Sequence, residues 1–304
     1  MFNPLTTPPT KEARAWAAAA FAQGARVTAT KRLTGGAATT MHLLVIEDVH
    51  GALHHAVLRR WTDEDDVSAG AECVQREAHV LTQLATTELP APRLLAIDPA
   101  GTYCGHAALL MTRLPGRIDL QPKKPDEWLR ALATMLAEIH RTPVQAPPAQ
   151  SWLEVNGLIV PDWTSRPELW RDAFALIGES PSADDECFIH HDYQPFNVLW
   201  RRGALTGVVD WVWGSTGSPS FDVGHCRLNL AILYSHEHAK RFLELYETIS
   251  GRTVNAWRDV NELVQYLPGW RDFLGGQVGT RMVIDFEGIH DRVERTLADA
   301  LRRV

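Results

Sequence analysis

The chain has 304 residues, of which 45% are hydrophobic and 22% charged, and its formal net charge is −7 at pH 7. This length and composition are typical of an ordinary water-soluble protein with room for two lobes that each have a core. The acidic balance argues against a nucleic-acid partner or an anionic membrane surface, and it tolerates a cationic small molecule.

The cysteines and the N-terminus exclude further classes. Cys73, Cys104, Cys187 and Cys226 are far apart and form no CxxC pattern, which predicts neither a zinc site nor a disulfide scaffold. Residues 1–16 lack the apolar core of a signal peptide, and no run of about 18 apolar residues occurs. We therefore expect a cytoplasmic protein without a membrane partner; the sequence does not specify an oligomeric state.

The N-terminal part predicts a helix followed by a sheet. An alanine-rich helix is predicted over residues 11–23. Gly35 and Gly36 predict a turn between the first two strands, where backbone amides could approach a phosphate group because no Cβ intervenes. A plain hairpin turn is the alternative interpretation of these glycines. The three strand candidates are residues 27–33, 40–46 and 53–61.

An amphipathic helix and two more strands precede a break in the pattern. The apolar stripe of the helix is Val74, Ala78, Leu81 and Leu84. Glu77 lies beside this stripe, so the sequence alone predicts a surface carboxylate. The further strand candidates are residues 93–97 and 106–111.

The segment 112–116 is the predicted hinge between two lobes. Residues 1–111 are predicted to form an N-terminal lobe that contains the sheet, and residues 117–304 are predicted to form a larger helical lobe.

The second half of the chain reads as mainly helical. Asp126 is the predicted N-cap of a helix with an apolar stripe that ends near His140, and His140 is predicted to be structural. Further helices are predicted at residues 163–178, 224–234, 237–249, 254–266 and 285–303.

The sequence FIHHDYQPFNVLWRRGALTGVVDW, residues 188–211, predicts a β-hairpin flanked by acids. Its strands are 198–200 and 206–209, and His190–Asn197 is polar enough to be predicted outside the core. Asp192, Asn197 and Asp210 flank the strands, so their oxygens can converge on a hard divalent cation such as Mg²⁺ and on a hydroxyl.

Two other interpretations of this stretch exist. An isolated His-x-Asp is typical of a solvated turn. A metal phosphohydrolase is the second alternative, although it assigns no role to Asn197. Its candidate ligands would be His54, His55, His190, His191, Asp192 and Asp210.

Four motifs in this order resemble the aminoglycoside phosphotransferase family, a branch of the protein-kinase-like fold. They are His190-His191-Asp192, Asn197, Val209-Asp210-Trp211 and Gly217-Ser218-Pro219-Ser220-Phe221-Asp222. Family members read H-G-D-x-x-x-x-N, then I-D-W, then G-D-P-x-x-D. This chain has His191 where Gly is usual and Ser218 where Asp is usual.

The resemblance implies an α+β, bilobal fold with an N-terminal antiparallel-sheet lobe and a larger, mainly helical lobe. It implies an O-phosphotransferase that uses ATP or GTP with Mg²⁺ and phosphorylates an alcohol group of a small molecule, an aminoglycoside or other antibiotic, with a role in antibiotic resistance. The alternatives are a kinase of a choline-, homoserine- or sugar-like metabolite and a nucleotide-binding module without turnover.

The resemblance also implies roles for single residues. Asp192 would aim the attacking hydroxyl, while Asn197 and Asp210 would bind Mg²⁺. Arg59, with Arg60 as the alternative, would hold the α and β phosphates. Glu77 would pair with Arg59, and His190 and Asp222 would support the catalytic loop.

The resemblance further implies that residues 1–111 form a nucleotide-binding lobe and residues 117–304 a catalytic and substrate-binding lobe. Gly35 and Gly36 would then lie over the nucleotide phosphates, and the backbone of Thr112 and Leu114 in the hinge would bind the nucleotide base.

The acceptor is the least determined partner. The ammonium groups of an aminoglycoside favour carboxylates, and we single out Asp285 and Glu287 as substrate candidates. A more apolar or choline-like acceptor would instead suit tryptophan faces. The wider set of candidates is Asp259, Glu262 and Asp272 among the acids, and Trp152, Trp163, Trp257 and Trp270 among the aromatics.

Overall fold

The computed structural model describes residues 7–33, 39–62, 67–151, 153, 158–179, 184–266, 274, 277–279 and 281–304, without the side chains of Val67 and Ser68. The chain divides into two compact units. The first comprises Met1–Pro115 and Gly207–Val212, and the second comprises Gly116–Thr206 and Trp213–Val304.

The first unit contains an antiparallel five-stranded sheet in the order β1-β2-β3-β5-β4. Its elements are α1 (Lys11–Phe21), β1 (Arg26–Leu33), β2 (Thr39–Glu47), β3 (Leu53–Trp61), α2 (Val67–Leu84), β4 (Leu94–Asp98) and β5 (Ala108–Thr112).

One face of this sheet packs against α1. Ala13 and Ala17 of α1 are fully buried and belong to one apolar cluster with Leu44 of β2 and Leu58 of β3. The small alanines let the helix approach the strands closely. Side chains alternate along a strand, so Leu58 on this face places Arg59 on the opposite face.

The second unit is mainly helical. Its elements are α3 (Pro125–Arg141), α4 (Pro167–Gly178), β6 (Cys187–Ile189), β7 (Val198–Arg201), β8 (Ala204–Val208), β9 (Ser215–Gly217), α5 (Pro219–Leu233), α6 (His236–Ser250), α7 (Ala256–Leu263) and α8 (Ile289–Leu301). The last two residues of β8 belong to the first unit. Helix α5 is buried along its whole length, which makes it the central helix of the unit. The two units together confirm the predicted α+β class.

The hairpin of β7 and β8 has the predicted turn. Arg202 and Gly203 both have positive φ, 54° and 80°. This backbone is typical of the type I′ turn that matches the twist of two antiparallel strands. The structure adds β9, which pairs with β6 and was not predicted.

Three predictions about this unit were wrong. Asp126 does not cap α3, because Pro125 occupies the first turn and the preceding Lys124 makes no capping bond. Helix α5 begins at Pro219 rather than at Gly224, because Ser218 caps it by accepting a hydrogen bond from the amide of Ser220. The loop His190–Asn197 is almost entirely buried rather than outside the core.

No helix among the described residues is both long enough and apolar enough to cross a membrane.

Candidate active site

The first unit holds a buried arginine between two acids. Nη1 of Arg59 on β3 lies 3.1 Å from Oε2 of Glu77 on α2 and 2.6 Å from Oδ1 of Asp210, which follows β8. Glu77 is fully buried, whereas the Asp210 side chain is 27% exposed. The guanidinium also lies over the ring of Trp61, 4.7 Å from its centroid. The structure therefore brings together three residues that the resemblance assigns to phosphate and metal binding.

Burial decides the electrostatics of this group. It raises the pKa of Glu77 to about 7, although Arg59 and the backbone amide of Trp211 act in the opposite direction. Burial lowers the pKa of Arg59, but Asp210 and Glu77 outweigh it and hold the pKa above its ordinary value. Arg59 is thus a permanent cation, and Glu77 is the group whose charge can change.

Arg60 lies on the other face of the strand. Its Nη2 donates to the carbonyl oxygen of Thr7 at 2.5 Å, and burial lowers its pKa. The alternation of side chains along β3 therefore makes Arg59, not Arg60, the partner of Glu77.

The second unit contains the loop between β6 and β7 that carries Asp192. Oδ1 of Asp192 accepts a hydrogen bond from Nε2 of Gln194 at 2.6 Å and lies 3.0 Å from Nε2 of His225. Oδ2 accepts one from Nδ2 of Asn197 at 2.9 Å. A carboxylate oxygen has two lone pairs, so these contacts occupy Oδ1 and leave a position on Oδ2. That position suits an incoming hydroxyl.

Asn197 uses its amide nitrogen within the loop. Nδ2 donates to both the backbone oxygen and Oδ2 of Asp192, each at 2.9 Å. The amide oxygen is therefore left for another partner. Taken separately, the amide oxygen of Asn197 and the carboxylate of Asp210 are each hard oxygen donors of the kind that Mg²⁺ prefers, so the chemistry of each residue fits that cation.

Asp222 anchors the loop from the first turn of α5. Its fully buried carboxylate accepts hydrogen bonds from the amides of His190 and His191 at 2.8 and 2.6 Å, and lies 3.0 Å from Nε2 of His140. Burial raises the pKa of Asp222, but its contacts with His140 and His190 together outweigh burial and lower the pKa. Nδ1 of His140 in turn lies 2.7 Å from the Tyr246 hydroxyl, which fits its predicted structural role.

The two histidines before Asp192 differ in conformation. The fully buried His190 accepts a hydrogen bond at Nδ1 from the amide of Asp192 at 3.2 Å. His191 has a φ of 65°, in the left-handed region, where a non-glycine residue costs about 1–3 kcal/mol. Its position is the one where the family has glycine, and the bond from its amide to Asp222 holds it there.

His225 is the site residue that sequence reasoning missed, and Glu262, predicted only as a candidate acceptor carboxylate, lies beside it. His225 lies on α5 with Nε2 toward Asp192, and its Nδ1 is 3.8 Å from Oε2 of Glu262 on α7. Burial lowers the pKa of His225, but the carboxylates of Asp192 and Glu262 outweigh burial and raise the pKa to about 10. Burial raises the pKa of Asp192, but its contacts with His225, His190 and Asn197 together outweigh burial and lower the pKa. The only available signal was the position of His225, one helical turn after Asp222.

Four further residues were predicted to contact the nucleotide. Gly35 and Gly36 lie outside the described residues. Thr112 ends β5, where its Oγ1 accepts a hydrogen bond from the amide of Arg93 at 2.8 Å. The side chain of Leu114 lies against Gly207, where an added Cβ would be 2.6 Å from it.

The predicted acceptor carboxylates have different environments. Asp285 and Glu287 are exposed, and Oδ2 of Asp285 pairs with Nη1 of Arg292 at 2.6 Å. Asp259 is fully buried beside Arg227. Asp272, Trp152 and Trp270 lie outside the described residues. In the part of the chain that the structure describes, no group of three or more His, Cys, Asp or Glu side chains is arranged to hold a metal ion.

Known proteins match the chain over much of its length. Acyl-CoA dehydrogenase family member 10 of Mus musculus is 23% identical over 176 residues, and the uncharacterized protein YcbJ of Bacillus subtilis (strain 168) is 26% identical over 200 residues. These matches span 51% and 58% of this chain, but only 16% and 60% of the two relatives.

Solved structures share the fold at low sequence identity. A provisionally assigned aminoglycoside phosphotransferase from Ralstonia eutropha JMP134 is 16% identical with a TM-score of 0.60, and the match covers 96% of this chain and 95% of that one. A thermostable mutant of aminoglycoside phosphotransferase APH(4)-Ia, in ternary complex with ADP and hygromycin B, is 16% identical with a TM-score of 0.58, covering 89% and 95%. These likenesses confirm the predicted protein-kinase-like fold.

A sequence model of the phosphotransferase enzyme family matches residues 29–263, which is more than half of the chain. The resemblance predicted from the motifs between His190 and Asp222 is thereby confirmed, and the chain belongs to the phosphotransferase enzyme family.

Proposed function

We propose that this protein is an O-phosphotransferase that moves the γ-phosphoryl group of ATP or GTP to a hydroxyl of a small molecule. The observation that carries this proposal is the environment of Asp192. Two donors occupy its Oδ1, one occupies its Oδ2, and one lone pair of Oδ2 remains for an acceptor hydroxyl. Phosphoryl transfer depends on such positioning more than on covalent work by the protein.

The other site residues have proposed roles around this one. Asn197 and Asp210 would hold Mg²⁺, which when bound neutralises charge on the phosphates. Arg59, fixed by Glu77, would bind the α and β phosphates.

Binding of the nucleotide itself would involve the N-terminal region. Residues 1–111 would form the nucleotide-binding lobe and residues 117–304 the catalytic and substrate-binding lobe. The turn at Gly35 and Gly36 would cover the phosphates, and the backbone of Thr112 and Leu114 would bind the base.

The acceptor class follows from similarity to proteins that bind antibiotics. The similar APH(4)-Ia was solved with hygromycin B, so an aminoglycoside is the first acceptor to test. Asp285 and Glu287 are exposed carboxylates that could meet its ammonium groups. Such an activity in the cytoplasm would give antibiotic resistance.

The test is a screen of hydroxylated antibiotics and metabolites, choline-, homoserine- and sugar-like compounds included, with ATP and with GTP. The expected result is a product heavier by one phosphoryl group that forms only with Mg²⁺ present. Asp192→Asn should lower this transfer by about 10²- to 10⁴-fold while nucleotide still binds, because only the aim of the hydroxyl is lost.

The matched control is Asp126→Asn, an exposed acid paired with Arg241 at 2.8 Å, which should leave transfer unchanged. A thermal shift with nucleotide but no phosphorylated acceptor would show a binding module instead. Release of phosphate without any acceptor would show a hydrolase, and retention of most of the rate in Asp192→Asn would contradict the role of Asp192.

A further inference from the structure

The imidazole of His225 lies between two carboxylates. Nε2 is 3.0 Å from Oδ1 of Asp192, and Nδ1 is 3.8 Å from Oε2 of Glu262. The two ring nitrogens thus face acids that belong to different segments, the loop after β6 and helix α7. Asn229, one helical turn further along α5, is another polar neighbour, and its side-chain amide is 3.2 Å from Nε2 of His225.

This arrangement is buried and therefore costly unless it is paired. The His225 and Glu262 side chains are 11% and 5% exposed, and that of Asp192 is 19% exposed. A buried carboxylate without a partner would be strongly destabilising. The ring of His225 supplies a partner to both acids.

The close approach of α7 to α5 depends on Gly224, which precedes His225. An added Cβ at Gly224 would lie 2.8 Å from Cβ of Glu262. Real Cβ atoms essentially never show contacts this short, so a larger residue would displace one helix. The glycine therefore allows Glu262 to lie within reach of His225.

The contact also decides which oxygen of Asp192 can serve the acceptor. With Gln194, His225 occupies Oδ1, whereas Oδ2 has Asn197 as its side-chain donor. Without His225, the carboxylate could rotate about its Cβ–Cγ bond and present either oxygen. A ring fixed from behind by Glu262 prevents this rotation.

We propose that His225 is a positioning residue of the phosphoryl-transfer site: held by Glu262, it fixes the Asp192 carboxylate so that Oδ2 meets the acceptor hydroxyl. This inference rests on the proposed function for its kinetic consequence. The contact between His225 and Asp192 does not depend on that function. The two can therefore be tested separately.

The first experiment needs no acceptor. Nuclear magnetic resonance of the full chain with ¹⁵N-labelled histidine reports whether each ring carries one proton or two. We expect a signal that is absent in His225→Gln and that stays doubly protonated to a higher pH than an exposed histidine. Its titration midpoint should fall in Asp192→Asn and in Glu262→Gln, because each removes one carboxylate that faces the ring.

The second experiment uses the phosphorylated acceptor from the screen, with hygromycin B as the first probe. His225→Leu should lower kcat by about 10- to 100-fold and leave the KM for ATP unchanged. A loss of this size is typical when a residue that orients a metal-binding side chain is removed, and His225 orients Asp192 in the same way. His225→Gln should recover part of this loss, since a glutamine amide can donate to Oδ1. A purely structural histidine would not give this rescue.

The matched control is His236→Asn in the same unit. His236 on α6 has its Nδ1 3.2 Å from Oγ1 of Thr296, so the variant also loses a side-chain contact between helices. It should leave kcat unchanged.

Equal kcat in wild type and His225→Leu, or a titration midpoint of His225 that Asp192→Asn does not move, would overturn the inference. Absence of acceptor phosphorylation in the wild type would instead refute the proposed function, and the magnetic resonance result would still decide the contact.

Discussion

Each unit of the molecule contains a buried cation between two carboxylates. In both cases the cation lies on one element and the acids on two others, so three segments of the chain meet at one charge. We name these sets the arginine cluster and the histidine cluster. They consist of Glu77, Arg59 and Asp210 in the first unit, and of Asp192, His225 and Glu262 in the second.

The clusters differ in which member can change its charge. A guanidinium does not lose its proton at ordinary pH, so in the arginine cluster burial acts on Glu77 and raises its pKa to about 7. An imidazole can lose its proton, and in the histidine cluster the pKa of His225 is raised to about 10. The chemistry of the central side chain therefore decides whether an acid or a base of the cluster changes its charge with pH.

The largest effect should come from breaking the arginine cluster. Arg59→Ala leaves the fully buried Glu77 without its cation, which should lower the free energy of unfolding by about 3–5 kcal/mol. The loss should be smaller at low pH, where Glu77 can take up a proton. Urea unfolding measures the stability, and titration with ATP and Mg²⁺ measures the accompanying loss of nucleotide affinity.

Two variants serve as controls for that change. All hydrogen bonds from Arg59 to Glu77 and Asp210 use the single atom Nη1, so Arg59→Lys should retain much of the stability. Arg60→Ala removes a donor to the Thr7 carbonyl and should leave ATP affinity unchanged. If Arg60→Ala is the variant that loses ATP affinity, the assignment of the phosphate-binding arginine is wrong.

The second-largest effect should be on the pH dependence of the free energy of unfolding of the metal-free protein. The pKa of Glu77 rises from 4.5 when unfolded to about 7 when folded, so the folded state binds the extra proton between these values. Stability should therefore fall as pH rises through this window. The pKa of His225 rises from 6.5 to about 10, so its contribution is complete below pH 6.5 and is lost as pH rises toward 10.

The clusters thus predict a decline of stability in a lower and an upper pH window, which overlap only near pH 7, and a different variant tests each window. Glu77→Gln should remove the decline in the lower window and leave the upper one. His225→Gln should do the reverse. Urea unfolding across this pH range measures both, and a variant that removes both declines, or neither, would contradict the assignment.

The sequence predicts strands well where local patterns are strong. Residues 53–61 were predicted as a strand and β3 spans Leu53–Trp61, with a turn that contains Gly51 directly before it. The turn at Arg202 and Gly203 was equally local. Such features depend on neighbours within a few residues, which the sequence displays directly.

Burial of polar residues could not be predicted in this way. The loop His190–Asn197 reads as solvent-exposed, yet its amides bond to Asp222, which is about 30 residues further along the chain. Glu77 reads as a surface residue until Arg59 is placed beside it. Polarity indicates exposure only when no internal partner exists, and partners distant in sequence leave no local signal.

The histidine cluster was missed for a related reason. Helix α5 is buried on all sides, so it lacks the apolar stripe that would separate an inward face from an outward one. His225 therefore had no pattern to mark it as different from its neighbours. Glu262 was noted only as one of several acids in an acceptor region, and not as a partner of a histidine.

The smallest effect tests the packing that the histidine cluster requires. In Gly224→Ala, the new Cβ would lie 2.8 Å from Cβ of Glu262 and 3.3 Å from Cα of Asp259, so α7 must shift. Overpacking of this kind should lower the free energy of unfolding by about 1–3 kcal/mol. The magnetic resonance titration of His225 should also move toward its ordinary range, because the shift takes Glu262 away from the ring.

Gly178→Ala is the matched control, since Gly178 ends α4 and an added Cβ there meets no atom within 4 Å. Alanine is the better helix former, so this variant should be neutral or more stable by up to about 1 kcal/mol. The arginine cluster should be unaffected by both substitutions, and the lower pH window should persist in both. If Gly224→Ala behaves like Gly178→Ala, then α7 does not depend on the glycine for its approach, and Glu262 reaches His225 for another reason.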